Sequence, residues 1–372
     1  MTSTAIASDL TRATKEPWTI LHDFAFTGGG AERVVAALAT DSLPGSPVAV
    51  LGGSDEAMRD VGFPVHTTTL LSKSLIRPDT YRHLAPALPR MVSNLPPIEG
   101  NVLVSSYAFA HHVRCTGKLV VYCHSPLRQV WSGKAMYANS VRPHLQLGLT
   151  LSRGYLRRRD RQAARAADHY IATNSIVRDR IFECYGVDAS AIIPPPVDTH
   201  RFYRSPEKRQ DYFLWVGRIA EPYKRLDLAI EAVRGTDHQL VVAGDGRDRA
   251  RMEAIAPPNV RFVGWQDSDQ LRHLYQSAQA VLFTSEDDFG LVPLEAMACG
   301  TPTIAFRAGG ATISLLENET CIFFGDQSAD SLRTAMSQSE QMNWNHDEIS
   351  RAAGAYDLRS FSARIRDFLD SI

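Results

Sequence analysis

Short apolar segments alternate with helix-like segments from residue 18 onward, and this alternation constrains the fold more than any other feature. The apolar segments are continuous and rich in β-branched residues, which is typical of strands buried on both faces of a parallel sheet. Strands that alternate with helices predict parallel sheets with right-handed crossovers. Each half of the chain has enough strands for its own sheet. We therefore predict two doubly wound, Rossmann-like α/β domains that face each other across a cleft.

The predicted elements of the two halves are as follows. Strands of the first half are Trp18–His22, Val48–Leu51, Val102–Val104, Leu119–Cys123 and Tyr170–Thr173. Strands of the second half are Phe213–Val216, Leu240–Ala243, Val260–Val263, Val281–Thr284 and Thr303–Phe306. Helices are predicted at Glu32–Ala39, Leu226–Val233, Arg247–Ala256, Asp269–Ala278 and Leu291–Cys299. Ligands of such sheets bind outside the carboxyl ends of the strands, so functional residues are expected directly after them.

Three consecutive prolines, Pro194–Pro196, mark the predicted boundary, because they cannot lie inside a helix or a central strand. We predict an N-terminal domain at residues 1–200 and a C-terminal domain at residues 201–354. Residues 355–372 form a final amphipathic helix, expected to pack toward the N-terminal domain. Its apolar face consists of Phe361, Ile365, Phe368 and Leu369.

The composition of the 372 residues narrows the class of protein. At roughly 100–200 residues per domain, this length agrees with two domains. The net charge is −1, and this balance argues against a dedicated nucleic-acid binder. No apolar run approaches the roughly 18 residues of a membrane span, and Met1–Glu16 lacks the apolar core of a secretory signal. We therefore expect a cytoplasmic protein.

The cysteines support a reducing compartment. They are odd in number and form no C-x-x-C pair, which argues against a zinc site and a disulfide framework. Isolated cysteines mostly behave as small buried hydrophobes rather than as nucleophiles. The five are Cys115, Cys123, Cys184, Cys299 and Cys321.

Two basic residues follow the strand Phe213–Val216. Gly217 ends the strand, so that Arg218 emerges at its carboxyl end, and Lys224 is expected to open the next helix. Two cations at this edge suit a pyrophosphate, because arginine offers bidentate contacts to dense negative charge. A solvated helix start is the alternative, although a lysine at a helix N-terminus opposes the helix dipole.

A second motif follows the strand Val281–Thr284. Gly290 permits a tight turn, and the N–H groups at the start of the next helix can hold an anion. Asp287 and Glu295 are placed to accept hydrogen bonds from sugar hydroxyls in one cleft. Acidic residues near a helix N-terminus also favour the helix dipole, which explains Asp287 better than Glu295.

The first half contributes two further candidates. Gly29 and Gly30 belong to a run of three glycines before a helix, which predicts a backbone cradle for phosphate. The run does not match the G-x-G-x-x-G dinucleotide fingerprint, because Arg33 stands where the last glycine is required, and this weakens the hypothesis of a nicotinamide dehydrogenase. His124 lies at the carboxyl end of the strand Leu119–Cys123, where a functional and a structural role are equally open.

Two other patterns have simpler explanations. Asp267-Ser268-Asp269 has the D-x-D spacing of some metal–diphosphate sites, but it directly precedes a predicted helix and is interpreted as an N-cap. We therefore expect no metal site and no cofactor. The arginine-rich run from Arg153 to Arg165 could attract an anionic membrane, and a solvated helix face is the alternative.

These motifs, in this order, resemble the retaining glycosyltransferases of family 4, which have the two-domain GT-B fold. The matching residues are Gly-Gly-Ala-Glu at 29–32, Gly217-Arg218 with Lys224, and Phe289-Gly290-x-x-x-x-Glu295. Other stretches resemble the bacterial mannosyltransferase subgroup that builds O-antigen and other polysaccharides. They are Tyr122–Arg128, Asn174-Ser175, Pro195–Asp198 and Arg201-Phe202. The family pattern is E-x7-E, and here Asp287 stands at the first position, with Glu286 beside it as the alternative.

The resemblance implies roles for individual residues. Arg218 and Lys224 would bind the donor diphosphate, Glu295 the ribose hydroxyls, and Asp287 the transferred sugar. Backbone groups would hold the sugar, the base and the phosphates, and His124 would lie over the sugar near the reacting carbon. These backbone positions are Phe289, Gly290 and Leu291 for the sugar, Val263 for the base, Gly217 beside the diphosphate, and Gly29 and Gly30 for the phosphates.

The resemblance also implies a reaction. A hexose, with mannose from GDP-mannose as the first expectation, would pass to an acceptor hydroxyl of a lipid-linked glycan, without a metal and at the cytoplasmic face of a membrane. A UDP-sugar with a small-molecule acceptor is one alternative. A non-catalytic nucleotide-sugar-binding protein and a sugar-nucleotide epimerase are two others, and turnover with and without an acceptor separates them.

Overall fold

The computed structural model of the chain describes residues 17–78, 81–131, 143–206 and 208–372. Met1–Glu16, the stretch in which no secretory signal is predicted, lies outside these residues. The chain forms two compact units. The first runs to Pro196 and also includes Leu358–Ile372, and the second is Val197–Asp357. The chain therefore leaves the first unit at the third proline and returns to it at the final helix. The predicted boundaries are at residues 200 and 354.

The first unit is built on a seven-stranded parallel sheet with the order β3-β2-β1-β4-β5-β6-β7. Its strands are β1 (Trp18–Ala25), β2 (Val48–Gly53), β3 (Thr68–Thr69), β4 (Asn101–Ser106), β5 (Leu119–Cys123), β6 (His169–Ala172) and β7 (Ala191–Ile192). The strand order reverses between β1 and β4. Such a switch point is where open α/β sheets bind ligands.

The helices of this unit lie between the strands. They are α1 (Gly30–Ala37), α2 (Asp55–Asp60), α3 (Leu88–Ser93), α4 (Arg128–Trp131), α5 (Pro143–Ala164) and α6 (Ser175–Tyr185). Local chemistry explains where α6 begins and ends. The Asn174 side chain accepts the N–H of Val177 at its start, and Gly186 adopts the left-handed conformation at its end, with φ of 71°.

The second unit is built on a six-stranded parallel sheet with the order β10-β9-β8-β11-β12-β13. Its strands are β8 (Phe213–Val216), β9 (Leu240–Ala243), β10 (Val260–Gly264), β11 (Ala280–Phe283), β12 (Thr303–Phe306) and β13 (Cys321–Phe324). Here the order reverses between β8 and β11. Both units therefore have the doubly wound parallel sheet that the sequence predicts.

The helices of the second unit again separate its strands. They are α7 (Leu226–Val233), α8 (Arg249–Ile255), α9 (Ser268–Ser277), α10 (Leu291–Ala298), α11 (Ala311–Ser314), α12 (Ala329–Gln341) and α13 (His346–Ala352). The last helix, α14 (Leu358–Ser371), belongs to the first unit. Its residues Phe361, Ile365 and Leu369 are at most 3% exposed and join the apolar cluster that contains Ile20 of β1.

Each sheet has an apolar cluster on both faces, which explains why its strands are continuously apolar. On β1, Ile20 packs into one cluster and Leu21 into the other. On β8, Phe213 and Leu214 divide in the same way. A polar residue in such a strand would enter one of the two cores, so its presence there requires a buried hydrogen-bond partner.

Three strands are absent from the sequence prediction. β3 and β7 are only two residues long, so they leave no hydrophobic pattern to detect. β13 is a run of four residues that completes the second sheet, where it pairs with β12 from Thr303↔Cys321 to Phe306↔Phe324. Its apolar character was available in the sequence as a signal for a sixth strand.

Candidate functional site

In the second unit, the loop after β8 carries the first two predicted basic residues. Arg218 is exposed directly beyond the carboxyl end of the strand. The loop is held by close backbone packing, because a Cβ atom on Gly244 would overlap the carbonyl oxygen of Gly217. One on Gly246 would overlap that of Ile219. The glycines after β9 thus allow this loop to pack closely.

Helix α7 spans Leu226–Val233, as predicted, but Lys224 lies in the turn before it and does not open the helix. Its Nζ donates to Oδ2 of Asp287 at 2.5 Å, and the two side chains are only 20% and 14% exposed. The Thr284 hydroxyl at the end of β11 donates to the Lys224 carbonyl at 3.0 Å. The structure therefore brings two of the predicted residues together at the β8–β11 switch point.

The turn before α10 depends on Gly290. Its φ of 86° lies in the region that favours glycine, and a Cβ atom there would be 2.9 Å from the Phe283 ring. Phe289 is buried and Leu291 begins the helix. The loop backbone is closed by the N–H of Gly310, which donates to the Asp287 carbonyl at 2.8 Å.

Glu295 lies beyond the first turn of α10, where an acidic residue is not explained by the helix dipole. It is 4% exposed, and its Oε2 accepts the hydroxyl of Tyr275 on α9 at 2.8 Å. Burial of a carboxylate is costly without such partners. Of the two candidates for the first acidic position of the motif, Asp287 and Glu286, Asp287 is the one that pairs with Lys224.

The loop after β10 holds the remaining predicted position of this unit. The carbonyl oxygen of Val263 accepts the side-chain amide of Gln266 at 2.9 Å. Asp267 then caps α9: its Oδ1 accepts the N–H groups of Asp269 and Gln270, and the Gln270 side chain accepts the N–H of Asp267. The prediction of an N-cap at this D-x-D motif is confirmed.

In the first unit, Gly29 is the N-cap of α1, and Gly30 is its first residue. The helix begins two residues before the predicted start at Glu32. Gly30 is exposed and Gly29 is half-buried. Because the N-cap residue is a glycine, no N-cap side chain bonds the first N–H groups of the helix. The backbone N–H groups of this first turn therefore lie at the carboxyl edge of β1, as a phosphate cradle requires.

His124 follows β5 directly and is half-buried. Its Nε2 lies 2.8 Å from the Ser105 hydroxyl, which in turn lies 3.0 Å from Nδ1 of His22. Burial, followed by the proximity of His22, lowers the pKa of His124 to about 3. Burial likewise lowers the pKa of His22 to about 4, against the opposing effect of Asp23. Both imidazoles are neutral at pH 7.

Sequence reasoning missed His22 and Ser105 as site residues, although a signal was present. His22 is the last residue of the predicted first strand, and Ser105 directly follows the predicted strand Val102–Val104. Parallel pairing places them opposite each other in register, and Ser105 opposite Tyr122. Polar residues near the same level of three adjacent strands could have been grouped with His124.

Among the described residues, one group of side chains has the composition of a metal site. Donor atoms of His111, His112 and Asp160 lie within 4.8 Å of one another and are buried. Oδ1 of Asp160 is 2.9 Å and 3.2 Å from the two Nε2 atoms, and Oδ2 accepts the Trp131 indole N–H at 2.5 Å. Burial raises the pKa of Asp160, but the two imidazoles outweigh it and hold the pKa well below its usual range.

This group suits a hydrogen-bonded network better than a divalent ion. It offers a single carboxylate, and the guanidinium groups of Arg157 and Arg161 lie over the Trp131 ring, 5.2 and 4.8 Å from its centre. The carboxylate of Asp160 is already engaged by the Trp131 indole N–H and by both imidazoles. The absence of a metal site stays a prediction.

The arginine-rich run lies on α5, with Arg165 directly after the end of the helix, and its members differ in burial. Arg153, Arg157 and Arg159 are half-buried, whereas Arg158, Arg161 and Arg165 are exposed. Leu151, on the same helix, is 77% exposed. No helix among the described residues combines the length and the apolar character needed to cross a membrane.

The five cysteines carry no disulfide. Cys123, Cys299 and Cys321 are buried, and burial raises the pKa of the last two thiols to about 12. Because the thiolate is the reactive form, these two residues are inert at neutral pH. They behave as small apolar side chains, as the sequence suggests.

Two family models match the chain. The model described as Glycosyltransferase Family 4 matches residues 28–201, and the model described as Glycosyl transferases group 1 matches residues 210–339. The matched segments carry all the predicted site residues, with the first model covering those of the first unit and the second model those of the second unit.

Curated relatives are enzymes that transfer sugars. The chain is 27% identical to a D-inositol 3-phosphate glycosyltransferase of Gordonia bronchialis, over 57% of this chain and 57% of the relative. It is 28% identical to the D-rhamnosyltransferase WbpZ of Pseudomonas aeruginosa, over 60% and 58%. The chain thus spans less than two thirds of the length of these relatives.

Solved structures share the fold over almost the entire chain. Alr3699/HepE of Anabaena has a TM-score of 0.66 at 16% identity, covering 95% of this chain and 100% of that one. Sucrose-phosphate synthase of Thermosynechococcus elongatus has a TM-score of 0.71 at 17% identity, covering 94% and 98%. The two family models together span most of the chain, which therefore belongs to the family 4 glycosyltransferases, and the solved structures show that its fold is the GT-B architecture.

Proposed function

We propose that this protein is a retaining hexosyltransferase, which moves a hexose from a nucleoside diphosphate to an acceptor hydroxyl. The observation that carries this proposal is the Lys224–Asp287 pair at the switch point of the second sheet, with Arg218 exposed on the adjoining loop. Both loops leave the carboxyl ends of the two strands at which the order reverses. This is where a doubly wound sheet binds a nucleotide.

The basic residues are proposed to act on the leaving diphosphate. Negative charge grows on this group as the glycosidic bond breaks, and preorganised cations that meet it lower the barrier. Lys224 is preorganised by Asp287 and by its own carbonyl, which accepts the Thr284 hydroxyl. Arg218 can form bidentate contacts to phosphate. With these two cations in place, the reaction is proposed to need no metal.

The other residues are proposed to hold the remainder of the donor. Glu295, oriented by Tyr275, would accept hydrogen bonds from the ribose, and Asp287 from the transferred sugar. His124 is proposed to contact the sugar. Backbone groups would contribute the other contacts. These are Gly217, Phe289, Gly290 and Leu291 around the diphosphate and sugar, Val263 near the base, and Gly29 and Gly30 in the first unit.

Two donors are supported by different observations. The stretches Tyr122–Arg128 and Pro195–Asp198 resemble bacterial mannosyltransferases, which favours GDP-mannose. Structures of Alr3699/HepE, in contrast, contain UDP and UDP-glucose, which favours a UDP-sugar. We take GDP-mannose as the first candidate and the UDP-sugar as the second.

The acceptor is proposed to be a lipid-linked glycan of cell-envelope or polysaccharide biosynthesis, reached at the cytoplasmic face of a membrane. Helix α5 supports membrane contact, because it exposes Leu151 and also Arg158, and Arg165 follows its last turn. Basic side chains near an anionic lipid surface each contribute about 1 kcal/mol of binding.

Thermal-shift measurements with GDP, UDP and ADP test the proposal first, followed by turnover with the matching sugar donors. One nucleotide should raise the melting temperature, and Arg218→Ala and Lys224→Ala should abolish that shift. Arg234→Ala is the matched control, because Arg234 lies in the same unit and pairs with Glu231 and the Ile255 carbonyl at the surface.

Each alternative has its own outcome. If no nucleotide stabilises the protein, the transferase proposal fails. Stabilisation without turnover, across a panel of acceptors, would indicate a nucleotide-sugar-binding protein. Conversion of the donor without an added acceptor, to a different sugar nucleotide, would indicate an epimerase.

A further inference from the structure

A chain of three polar side chains lies within the first unit at its switch point. His22 on β1 and Ser105 on β4 are paired in register and are both fully buried, and His124 follows β5. Nδ1 of His22 is 3.0 Å from both the carbonyl oxygen and the hydroxyl of Ser105. The same hydroxyl is 2.8 Å from Nε2 of His124. The hydrogen-bonding capacity of these groups determines where each proton lies.

The carbonyl of Ser105 can only accept a hydrogen bond, so Nδ1 of His22 carries a proton. That N–H also reaches the Ser105 hydroxyl oxygen, which therefore accepts from His22. The hydroxyl proton is itself buried and needs an acceptor. Among the described residues, the acceptor within reach is Nε2 of His124. Hence Nε2 of His124 is the unprotonated nitrogen.

A neutral imidazole has one proton, so that of His124 must be on Nδ1. His124 is neutral at pH 7 because burial and then His22 lower its pKa to about 3. The residue is only half-buried, and Nδ1 is the nitrogen that Ser105 leaves available. The side chain therefore presents an N–H group rather than a basic lone pair.

We propose that His22 and Ser105 are positioning residues, which hold His124 as its Nδ1–H tautomer so that it donates a hydrogen bond to an oxygen of the bound sugar nucleotide. This inference rests on the proposed function and deepens it. A neutral donor orients a hydroxyl or phosphate oxygen without removing a proton from it. His124 is thereby a binding group, and neither a general base nor a general acid.

Nitrogen-15 NMR of the histidine-labelled whole chain tests the tautomer without any substrate. Two-bond correlations to the ring protons report which nitrogen is protonated, and a His124→Gln sample assigns the signals. We expect His124 to be neutral and protonated on Nδ1 from pH 5 to pH 8. In Ser105→Ala, the Nε2–H form should become populated, whereas Ser105→Thr, which keeps the hydroxyl, should retain the Nδ1–H form.

Kinetics test the consequence for the ligand. Loss of one hydrogen bond predicts a decrease in kcat/KM of about five- to tenfold for Ser105→Ala. The matched control is Ser190→Ala, since Ser190 also bonds a histidine, His169, at 3.0 Å, and this histidine begins a strand instead of following one. His124→Asn, whose amide can occupy the place of Nδ1, should retain more activity than His124→Gln.

Three results would overturn the proposal. They are a His124 signal protonated on Nε2, an imidazolium at pH 6, and equal activities of Ser105→Ala and wild type when both melt at the same temperature. The proposed function fails by a different measurement, namely the absence of any nucleotide-dependent shift in melting temperature. The NMR experiment still decides the tautomer in that case, so the two failures are distinguishable.

Discussion

The carboxyl edges of the two parallel sheets differ in the charge and the solvent exposure of their side chains. In the first unit, the polar groups at the switch point are neutral imidazoles linked through Ser105. The Asp23 carboxylate beside them is buried and accepts the backbone N–H groups of residues 107–110 at 2.6–2.7 Å. In the second unit, Arg218 is exposed, and the ion pair of Lys224 remains partly accessible.

This difference follows from burial. A charge that stays in contact with solvent is available to an incoming anion, whereas a buried charge is already matched by fixed partners. The second unit is therefore suited to receive a diphosphate. The first unit is suited to contribute neutral contacts and a defined shape. Four experiments test this contrast, and they follow in order of decreasing expected effect.

The first experiment removes one of the two cations at the carboxyl edge of the second sheet. Lys224→Ala should lower kcat/KM by about 10²–10³, because one preorganised partner of the leaving group is lost. The same change also leaves Asp287 without its lysine, so the loss could come from a disturbed loop. The double variant Lys224→Ala/Asp287→Ala tests for a disturbed loop, because both members of the ion pair are removed together. Asp287→Ala alone gives the loss of activity that comes from the missing contact to the sugar.

The double variant should regain the melting temperature of the wild type but not its activity. Turnover with the donor identified by thermal shift gives the activity, and calorimetry gives the melting temperature. Recovery of activity together with stability would mean that Lys224 serves only to neutralise Asp287. The proposal that Lys224 acts on the leaving diphosphate would then be wrong.

The second experiment acidifies the first unit. Burial is the main cause that lowers the pKa of His22 and of His112 to about 4 and that of His124 to about 3. The unfolded chain therefore binds more protons below the ordinary pKa of 6.5. The stability that neutral imidazoles contribute is present above pH 6.5 and is lost as the pH falls toward 4. Between pH 7 and pH 5 we expect a loss of about 2 kcal/mol for each imidazole.

Native-state hydrogen exchange of β1 and β4 at each pH, corrected for intrinsic rates, measures this loss in the first unit, to which Glu221 does not belong. His22→Phe should remove about a third of the pH dependence, since three imidazoles contribute about equally. Asp160 does not contribute to the change of stability between pH 7 and pH 5. Its pKa is lowered from 3.8, so it titrates below pH 5 in both the folded and the unfolded state. An unchanged slope in His22→Phe would show that His22 is not a group that titrates in this interval.

The third experiment raises the pH and follows the second unit, where stability is expected to change with pH in the opposite direction. Burial, followed by the proximity of Asp227, raises the pKa of Glu221 to about 7. Its contribution is fully present below the unfolded value of 4.5 and is lost as the pH rises through 7. We expect a loss of about 2 kcal/mol between pH 5 and pH 8.

Glu221→Gln should abolish that loss, because an amide does not titrate. The amide oxygen can still accept the Leu226 N–H, which Oε1 accepts at 2.8 Å. Native-state hydrogen exchange of β8 and β9, corrected for intrinsic rates, reports on this unit. A pH dependence that persists in the variant would assign the effect to another group.

The fourth experiment concerns the exposed arginines of the α5 region, where we expect only a small change. Arg158→Gln and Arg165→Gln should each weaken binding to phosphatidylglycerol vesicles by about fivefold at low salt. Neutral phosphatidylcholine vesicles are the control. Equal binding to both lipids would leave a solvated helix face as the explanation of the arginines.

Much of the candidate site could be predicted from the sequence because its residues follow strands. Arg218, Asp287 and His124 each come within a few residues of an apolar run, and parallel strands bring their carboxyl ends to one edge. The sequence pattern places the helix at Leu226–Val233, as observed, but it does not show that Lys224 lies in a turn that ends at Arg225, with φ of 53°. Such a backbone conformation in a non-glycine residue leaves no mark in the sequence.

Local patterns in the chain were enough to predict the two doubly wound sheets, the connector at Pro194–Pro196 and the amphipathic final helix. Each of these depends on hydrophobic periodicity or on proline stereochemistry, which a linear sequence records.

The pairing of site residues, in contrast, became visible only in the folded molecule. Lys224 pairs with Asp287, Tyr275 orients Glu295, and Ser105 connects two histidines. Those contacts join residues 19 to 83 positions apart. Their partners are selected by strand order and register, which the hydrophobic pattern does not encode.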